Sequence, residues 1–237
     1  MKSFYTLLLA SVVSLSVSAQ NVDADKARAA QNKTLRDSLY KATEVLAYHP
    51  DSINLRLKKA AWNIQLEQWQ YAKDELDKVL FLNNTNIAGL FYRAFVNEKL
   101  LRYNFARLDY QNLLVLVPGN FQAQLGLALL NEKDKHYTEA YDGINSLIEQ
   151  YPDSAMAYAA RGGMEKERGM LELAEFDYAK AMELDAGNED FAFNHVDILI
   201  LLGRKDEAYR DLKKLLDAGC QPGRLQGFYA RLKKKKK

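Results

Sequence analysis

Cysteine, proline, glycine and histidine are scarce in this chain: one, four, twelve and three in 237 residues. The lone Cys220 excludes both a disulfide framework and a cysteine-built zinc site. So few prolines and glycines exclude a collagen-like chain, a proline-rich linker and a turn-dense β-sandwich. Net charge is only +2, so no overall basic field calls for nucleic acid. That small sum hides a gradient. Setting aside the terminal lysines Lys233, Lys234, Lys235, Lys236 and Lys237, and Lys2 near the start, leaves a body of about −4. With 48% hydrophobic and 27% charged residues, that body has the balance of a folded chain.

The usual catalytic signatures are also missing. No GxxxxGK[ST] cradle for phosphate occurs, and no GxSxG surrounds a serine. His49, His136 and His195 are widely separated, and no HExxH links two of them. Asp185, Glu189 and Asp190 crowd one loop without the ligand ladder or glycine of an EF-hand. Catalysis needs mutually oriented acid, base or nucleophile in a concave site, and no such set is legible. The expectation is no enzyme, no metal and no cofactor.

What is present begins at the N-terminus. Lys2 precedes an uncharged, largely apolar stretch from Phe4 to Val17, and Val17-Ser18-Ala19 supplies small residues for a peptidase. The stretch is shorter than the ~20 residues of a spanning helix and is interrupted by Ser11, Ser14 and Ser16. Residues 1–19 are therefore expected to be a cleaved secretory signal, with the mature chain starting at Gln20 and exported to a bacterial periplasm. Further on, Lys, Arg, Asp or Glu interrupts every apolar run, so no integral membrane span is expected. Outside the cytoplasm, Cys220 is either a buried small apolar group or one half of an intermolecular disulfide.

The chain repeats itself every 34 residues. Ala72, Ala106, Ala140, Ala174 and Ala208 mark the grid, and Ser38 extends it backwards. Twelve residues after Ser38 and the first four alanines come Pro50, Asn84, Pro118, Pro152 and Ala186. Two further on stand Ser52, Asn86, Asn120, Ser154 and Asn188, all side chains that cap helix N-termini. Phe105, Ala106, Leu108, Leu113 and Leu116 show the spacing of a helix, and no stretch keeps a strand's alternation. Each unit thus reads as cap, helix, short turn, second helix and loop. Gly169 and Gly203 fall in turns between paired helices. The alanine is small because two antiparallel helices cross closely there, and overpacking would cost about 1–3 kcal/mol.

A charge correlation follows the same grid. Sixteen residues separate Lys59 from Glu75, Arg93 from Asp109, Arg161 from Asp177 and His195 from Asp211. Both members stand equally far from the turn, so they face each other across a helix pair. The fourth unit has Leu127 and Gly143 at these positions, and the first has Asp25 and Lys41, with signs reversed. These are expected to be structural ion pairs, which makes His195 a structural partner of Asp211 rather than an acid, base or ligand.

A 34-residue helix-turn-helix unit with that alanine and a closing proline resembles the tetratricopeptide repeat family. The likeness is best over RYNFARLDYQNLLVLVPGN (102–120) and YAARGGMEKERGMLELAEFDYAKAMELDAGN (158–188), where Gly162, Gly169, Ala174, Tyr178 and Ala181 match the family pattern. Most units lack the family's Trp and Tyr in the first helix. The resemblance implies an all-α, right-handed solenoid of antiparallel helix pairs: a weak first repeat over 20–52, five repeats over 53–222, and a capping helix with a lysine tail over 223–237.

In such a solenoid the first helices line the concave wall, which commonly holds a peptide. The family's Lys and Asn clamp for a C-terminal carboxylate does not transfer. Its positions carry Leu57 with Ala61, Phe91 with Phe95, Leu125 with Leu129, Ala159 with Gly163, and Phe193 with Asp197. Leu57, Phe91, Phe95, Leu125, Leu129 and Phe193 either form an apolar groove for a partner protein or peptide, or pack against neighbouring first helices. Separately, Lys233 to Lys237 form a tail able to meet an anionic membrane or wall polymer, or simply a solvated end. The reading is an exported adaptor or scaffold. Its alternative is an envelope-surface protein held by that tail, with repeats that are purely structural.

Overall fold

The computed structural model describes residues 22–233, with side chains from Arg28 onward; the expected signal segment and Lys234 to Lys237 lie outside the described residues. Among the described residues the chain is all-α, twelve helices without a strand. A long α1 (Val22–Tyr48) leads into five antiparallel pairs. These are α2 (Ile53–Gln65) with α3 (Trp69–Leu82), α4 (Ile87–Lys99) with α5 (Tyr103–Leu116), and α6 (Phe121–Lys133) with α7 (Tyr137–Gln150). Next come α8 (Ala155–Glu167) with α9 (Leu171–Leu184), and α10 (Glu189–Leu202) with α11 (Lys205–Asp217). A final helix, α12 (Pro222–Lys233), closes the array.

Local chemistry sets each boundary. The side chains of Asn86, Asn120, Ser154 and Asn188 accept from Gly89, Ala123, Ala157 and Asp190 N–H at 2.8, 2.9, 3.3 and 3.1 Å. Ser52 precedes α2 without a side-chain cap bond. Each hairpin turn holds one left-handed residue: Glu67, Leu101, Lys135, Gly169 and Gly203, with φ between 56° and 78°. The N–H of the next residue reaches back to a carbonyl five positions earlier, as from Arg102 to Asn97 and from Met170 to Glu165. This is the Schellman closure of a helix C-terminus. Ala72, Ala106, Ala140, Ala174 and Ala208 are all completely buried at the crossings.

Residues 22–48 depart from the grid. Instead of a helix pair, they form one continuous helix. The position equivalent to the turn residues is Lys33, in mid-helix, and no glycine, proline or Schellman turn interrupts its Ala-, Lys- and Leu-rich sequence. Asp25 and Lys41 therefore lie about 24 Å apart along one axis rather than across a hairpin.

Successive first helices pack on one another, α2 on α4, α4 on α6, α6 on α8, and α10 on α12. They form the inner wall of the array, and the second helices form its outer wall. Core clusters run from unit to unit. One joins Leu90, Ala94, Tyr110 and Leu113 to Ala123 and Leu130 of the next pair.

Candidate partner-binding surfaces

Each residue of the charge grid lies on a helix that its hairpin presents to the other. Lys59 and Arg56 both bond to Glu75, at 2.9 and 2.7 Å, and Arg56 also donates to the Pro50 carbonyl. Arg93 grips Asp109 with two bonds of 2.9 and 2.7 Å. Arg161 holds Asp177 in the same fork, at 2.6 and 2.8 Å. His195 Nδ1 lies 2.8 Å from Asp211. The bond to Asp109 holds the Arg93 pKa above its ordinary value, as the bond to Asp177 does for Arg161. Burial opposes charge on Glu75 and Asp211, yet their cationic partners outweigh it and keep both carboxyls below the usual range. At His195, burial disfavours the cation, but the bonds to Asp211 and Glu175 prevail and raise its pKa.

Half of this network is invisible in the forward spacing. Arg93 also reaches back to Asp77 of the preceding unit at 3.1 Å, and Arg161 reaches back to Asn145 at 2.8 Å. His195 Nε2 does the same with Glu175 at 3.2 Å. Asp77 and Asn145 stand sixteen residues before their arginines, a signal the sequence carried. Each cation thereby ties three helices together. In the fourth unit Leu127 faces apolar neighbours, and a Cβ on Gly143 would meet Ala128. The junction before it is held instead by Arg107 of α5, which binds Asn131 at 3.0 Å and also Asp134.

A second buried polar series occupies the helix ends. Asn63, Asn97, Asn131 and Glu165 share one grid position and are all buried. Asn97 donates to Asp109 at 3.3 Å. Glu165 stands in the same relation to Asp177, where a carboxyl can donate only while protonated. Burial, and then the charge of Asp177, push it up to about 7 against the pull of Arg161. Glu165 Oε2 and the Tyr141 hydroxyl are buried without a hydrogen-bond partner.

On the inner wall, Leu57, Phe91, Phe95, Leu129 and Phe193 are half-buried. Leu125, at 3% exposure, is a correction to the groove reading: it is buried in the core cluster that joins α6 to α7 and α8. The helix FQAQLGLALLNEK is apolar nearly all round, so a four-residue spacing could not separate its two faces. Phe91 packs edge-on against Tyr110 and Tyr92, and Phe95 edge-on against Trp69 with Lys99 over its ring. Phe193 is stacked on Phe228 of α12, with centroids 5.6 Å apart. Ion pairs bridge neighbouring first helices beside these rings: Glu98 with Lys133, and Asp197 with both Lys166 and Arg231.

Among the described residues, no three His, Cys, Asp or Glu side chains are placed to hold a metal. No described helix is long and apolar enough to cross a membrane. Cys220 is buried in the last core cluster, and burial raises its thiol pKa.

Over most of its length this array superposes on a solved structure from Parabacteroides merdae, a tetratricopeptide repeat protein. The TM-score is 0.71 at 20% identity, covering 86% of this chain and 80% of that one. The fold is a tetratricopeptide-repeat solenoid. A second solved structure with this solenoid, YrrB, is described as a TPR protein with an unusual peptide-binding site. It gives a TM-score of 0.52 at 18% identity, over 80% of this chain and 97% of that one. By sequence, human sperm-associated antigen 1 is 28% identical over 108 residues, which is 44% of this chain. The match spans only 12% of that much longer protein. No family model matches the chain.

Proposed function

We propose that this chain is an exported, non-enzymatic TPR scaffold whose inner wall receives a segment of a partner protein or peptide. The observation that carries the reading is the row Leu57, Phe91, Phe95 and Leu129. These apolar side chains are half-buried on three successive first helices, with the Glu98–Lys133 ion pair alongside. A row of this kind fits an amphipathic segment, with rings as anchors and charges as the rim. The peptide-binding site ascribed to YrrB lends the fold a precedent. Phe193 drops out of the row because α12 covers it. Export, with the periplasm as destination, rests on the pattern of residues 1–19, and the mature chain beginning at Gln20 is its consequence. Detection of Met1 on material recovered outside the cytoplasm by mass spectrometry contradicts that part.

The groove is tested with a photo-crosslinking residue at Leu129 and, separately, at the exposed Asp142 of α7. Adducts to one protein from Leu129 alone are expected. A Phe91→Ser/Phe95→Ser change should remove them while circular dichroism still reports a folded solenoid. Adducts that survive this change place binding elsewhere, and unfolding makes the two rings core.

A further inference from the structure

Two consecutive second helices carry a run of exposed large apolar side chains on the outer wall. On α5, Phe105, Leu108, Asn112 and Val115 follow the i, i+3, i+7, i+10 spacing of a helix–helix seam. Phe105 is 64% exposed and Val115 80%. The opposite stripe of α5, with Ala106, Asp109, Tyr110 and Leu113, is already buried inside the solenoid. On α3 the same outward positions hold Tyr71, Asp74, Lys78 and Phe81, the last 89% exposed. On α7 they hold Glu139, Asp142, Ser146 and Glu149, which breaks the stripe, and on α9 they hold Leu173 and Phe176 with Lys180 and Glu183, so the fully developed stripe is confined to α3 and α5.

We propose that two copies of this chain pair through this face, α3 against α3 and α5 against α5, antiparallel about one two-fold axis. The residues are self-complementary under that operation. An axis passing at the level of Tyr110 on α5 sets Phe105 opposite the partner's Val115, a large side chain against a small one. On the 34-residue grid the same axis passes α3 at Leu76. It then sets Tyr71 opposite the partner's Phe81 and Asp74 opposite the partner's Lys78. Both apolar pairs and both charges are matched by a single operator, as an isologous interface requires, while Leu108 falls opposite the partner's Asn112, apolar against amide. No charged residue interrupts the α5 seam, so no like charges meet across the axis. The exposed parts of Tyr71, Phe81, Phe105, Leu108 and Val115 amount to roughly 600–700 Å² per copy, given about 150–250 Å² for a whole aromatic side chain. With the stems of Asp74 and Lys78 added, this approaches the ~800 Å² per partner of a stable interface.

Sedimentation equilibrium of the full chain from about 1 to 100 µM tests the proposal. A dimer is expected, and Leu108→Glu should weaken it at least tenfold with an unchanged circular dichroism spectrum. Asp74→Lys should weaken it too, by setting lysine against the partner's Lys78. The swap Asp74→Lys with Lys78→Asp should then restore association, which an unrelated contact would not. Asp142→Lys on α7 should leave it unaltered. A chain that stays monomeric throughout, a dimer indifferent to Leu108→Glu, or a swap that fails to recover association overturns the proposal. Should Leu108→Glu fail to fold, Asn112→Lys on the same exposed seam gives the same reading.

Discussion

The α6–α7 and α8–α9 hairpins have the same length, the same crossing alanine and the same turn geometry, yet they are held by different chemistry. Across α8–α9 the fork from Arg161 grips Asp177 and continues back to Asn145. Across α6–α7 the corresponding residues are Leu127 and Gly143, and the space is apolar. The ion pair is therefore not a requirement of the fold. A buried pair recovers little beyond its desolvation cost, whereas an apolar pair incurs none. What the fork adds is a fixed angle between three helices, because a bidentate guanidinium tolerates little rotation.

Removing half of the fork should give the largest difference. Asp177 is 1% exposed, and Asp177→Ala leaves Arg161 without its main partner. Breaking a buried pair costs about 3–5 kcal/mol, reduced here because Arg161 retains some contact with solvent. Asp153→Ala, in an exposed loop, should stay within about 0.5 kcal/mol, so equal melting shifts for the two variants would remove the argument. Converting the second hairpin to the chemistry of the first is the sharper experiment. Arg161→Leu with Asp177→Ala should regain about 1–3 kcal/mol over Asp177→Ala alone, read from denaturant midpoints. If the double variant is as unstable as the single one, the fork contributes more than geometry.

The pH response should also divide the two hairpins. Asn131 and Glu165 occupy equivalent buried positions, and only Glu165 titrates. Its folded pKa, about 7, lies above the ordinary 4.5. Between those values the folded state binds the extra proton. Its contribution to stability is complete below about pH 4.5 and is lost as pH rises to about 7. Glu165→Gln should flatten that part of the profile and stabilise the protein at pH 8 by roughly 1–3 kcal/mol. An unchanged slope between pH 5 and 8 would remove Glu165 from the account. The turns offer the smallest contrast. Lys135 and Gly169 share a left-handed conformation, which disfavours a side chain by about 1–2 kcal/mol. Lys135→Gly should stabilise by up to about 1 kcal/mol and Gly169→Ala should destabilise by about as much, measured by chemical denaturation.

The repeat itself was legible because a helix hairpin imposes small residues, caps and breaks at fixed intervals, and these recur in the letters. Gly169 and Gly203 announced their turns. Glu67, Leu101 and Lys135 did not, since hydrogen bonding on either side can hold a non-glycine residue left-handed. The grid also continued into residues 20–52, where only a breaker at Lys33 would have made a hairpin. Among the candidate site residues, period alone found the row Leu57, Phe91, Phe95 and Leu129. It could not tell that Leu125 faces inward, or that α12 returns to cover Phe193. The outer stripe of Phe81, Phe105 and Val115 was in the sequence too, but a helix with two apolar stripes does not disclose which one its neighbours use.

The backward reach of the cations bears on how the array comes apart. A solenoid behaves as a line of units, each with its own stability and a coupling to the next. Arg93–Asp77 supplies that coupling at the α3–α4 junction, Arg107 at α5–α6, Arg161–Asn145 at α7–α8 and His195–Glu175 at α9–α10. Three of the four rest on arginine, whose charge is permanent. The fourth rests partly on a proton, since Glu175 is shared between His195 and Arg204, the latter at 3.3 Å. As pH rises through the elevated pKa of His195 its share of that link is lost, while Arg204 keeps its hold on Glu175 and Lys166 its hold on Asp197, so the coupling of the last hairpin to the rest should loosen with pH without being severed.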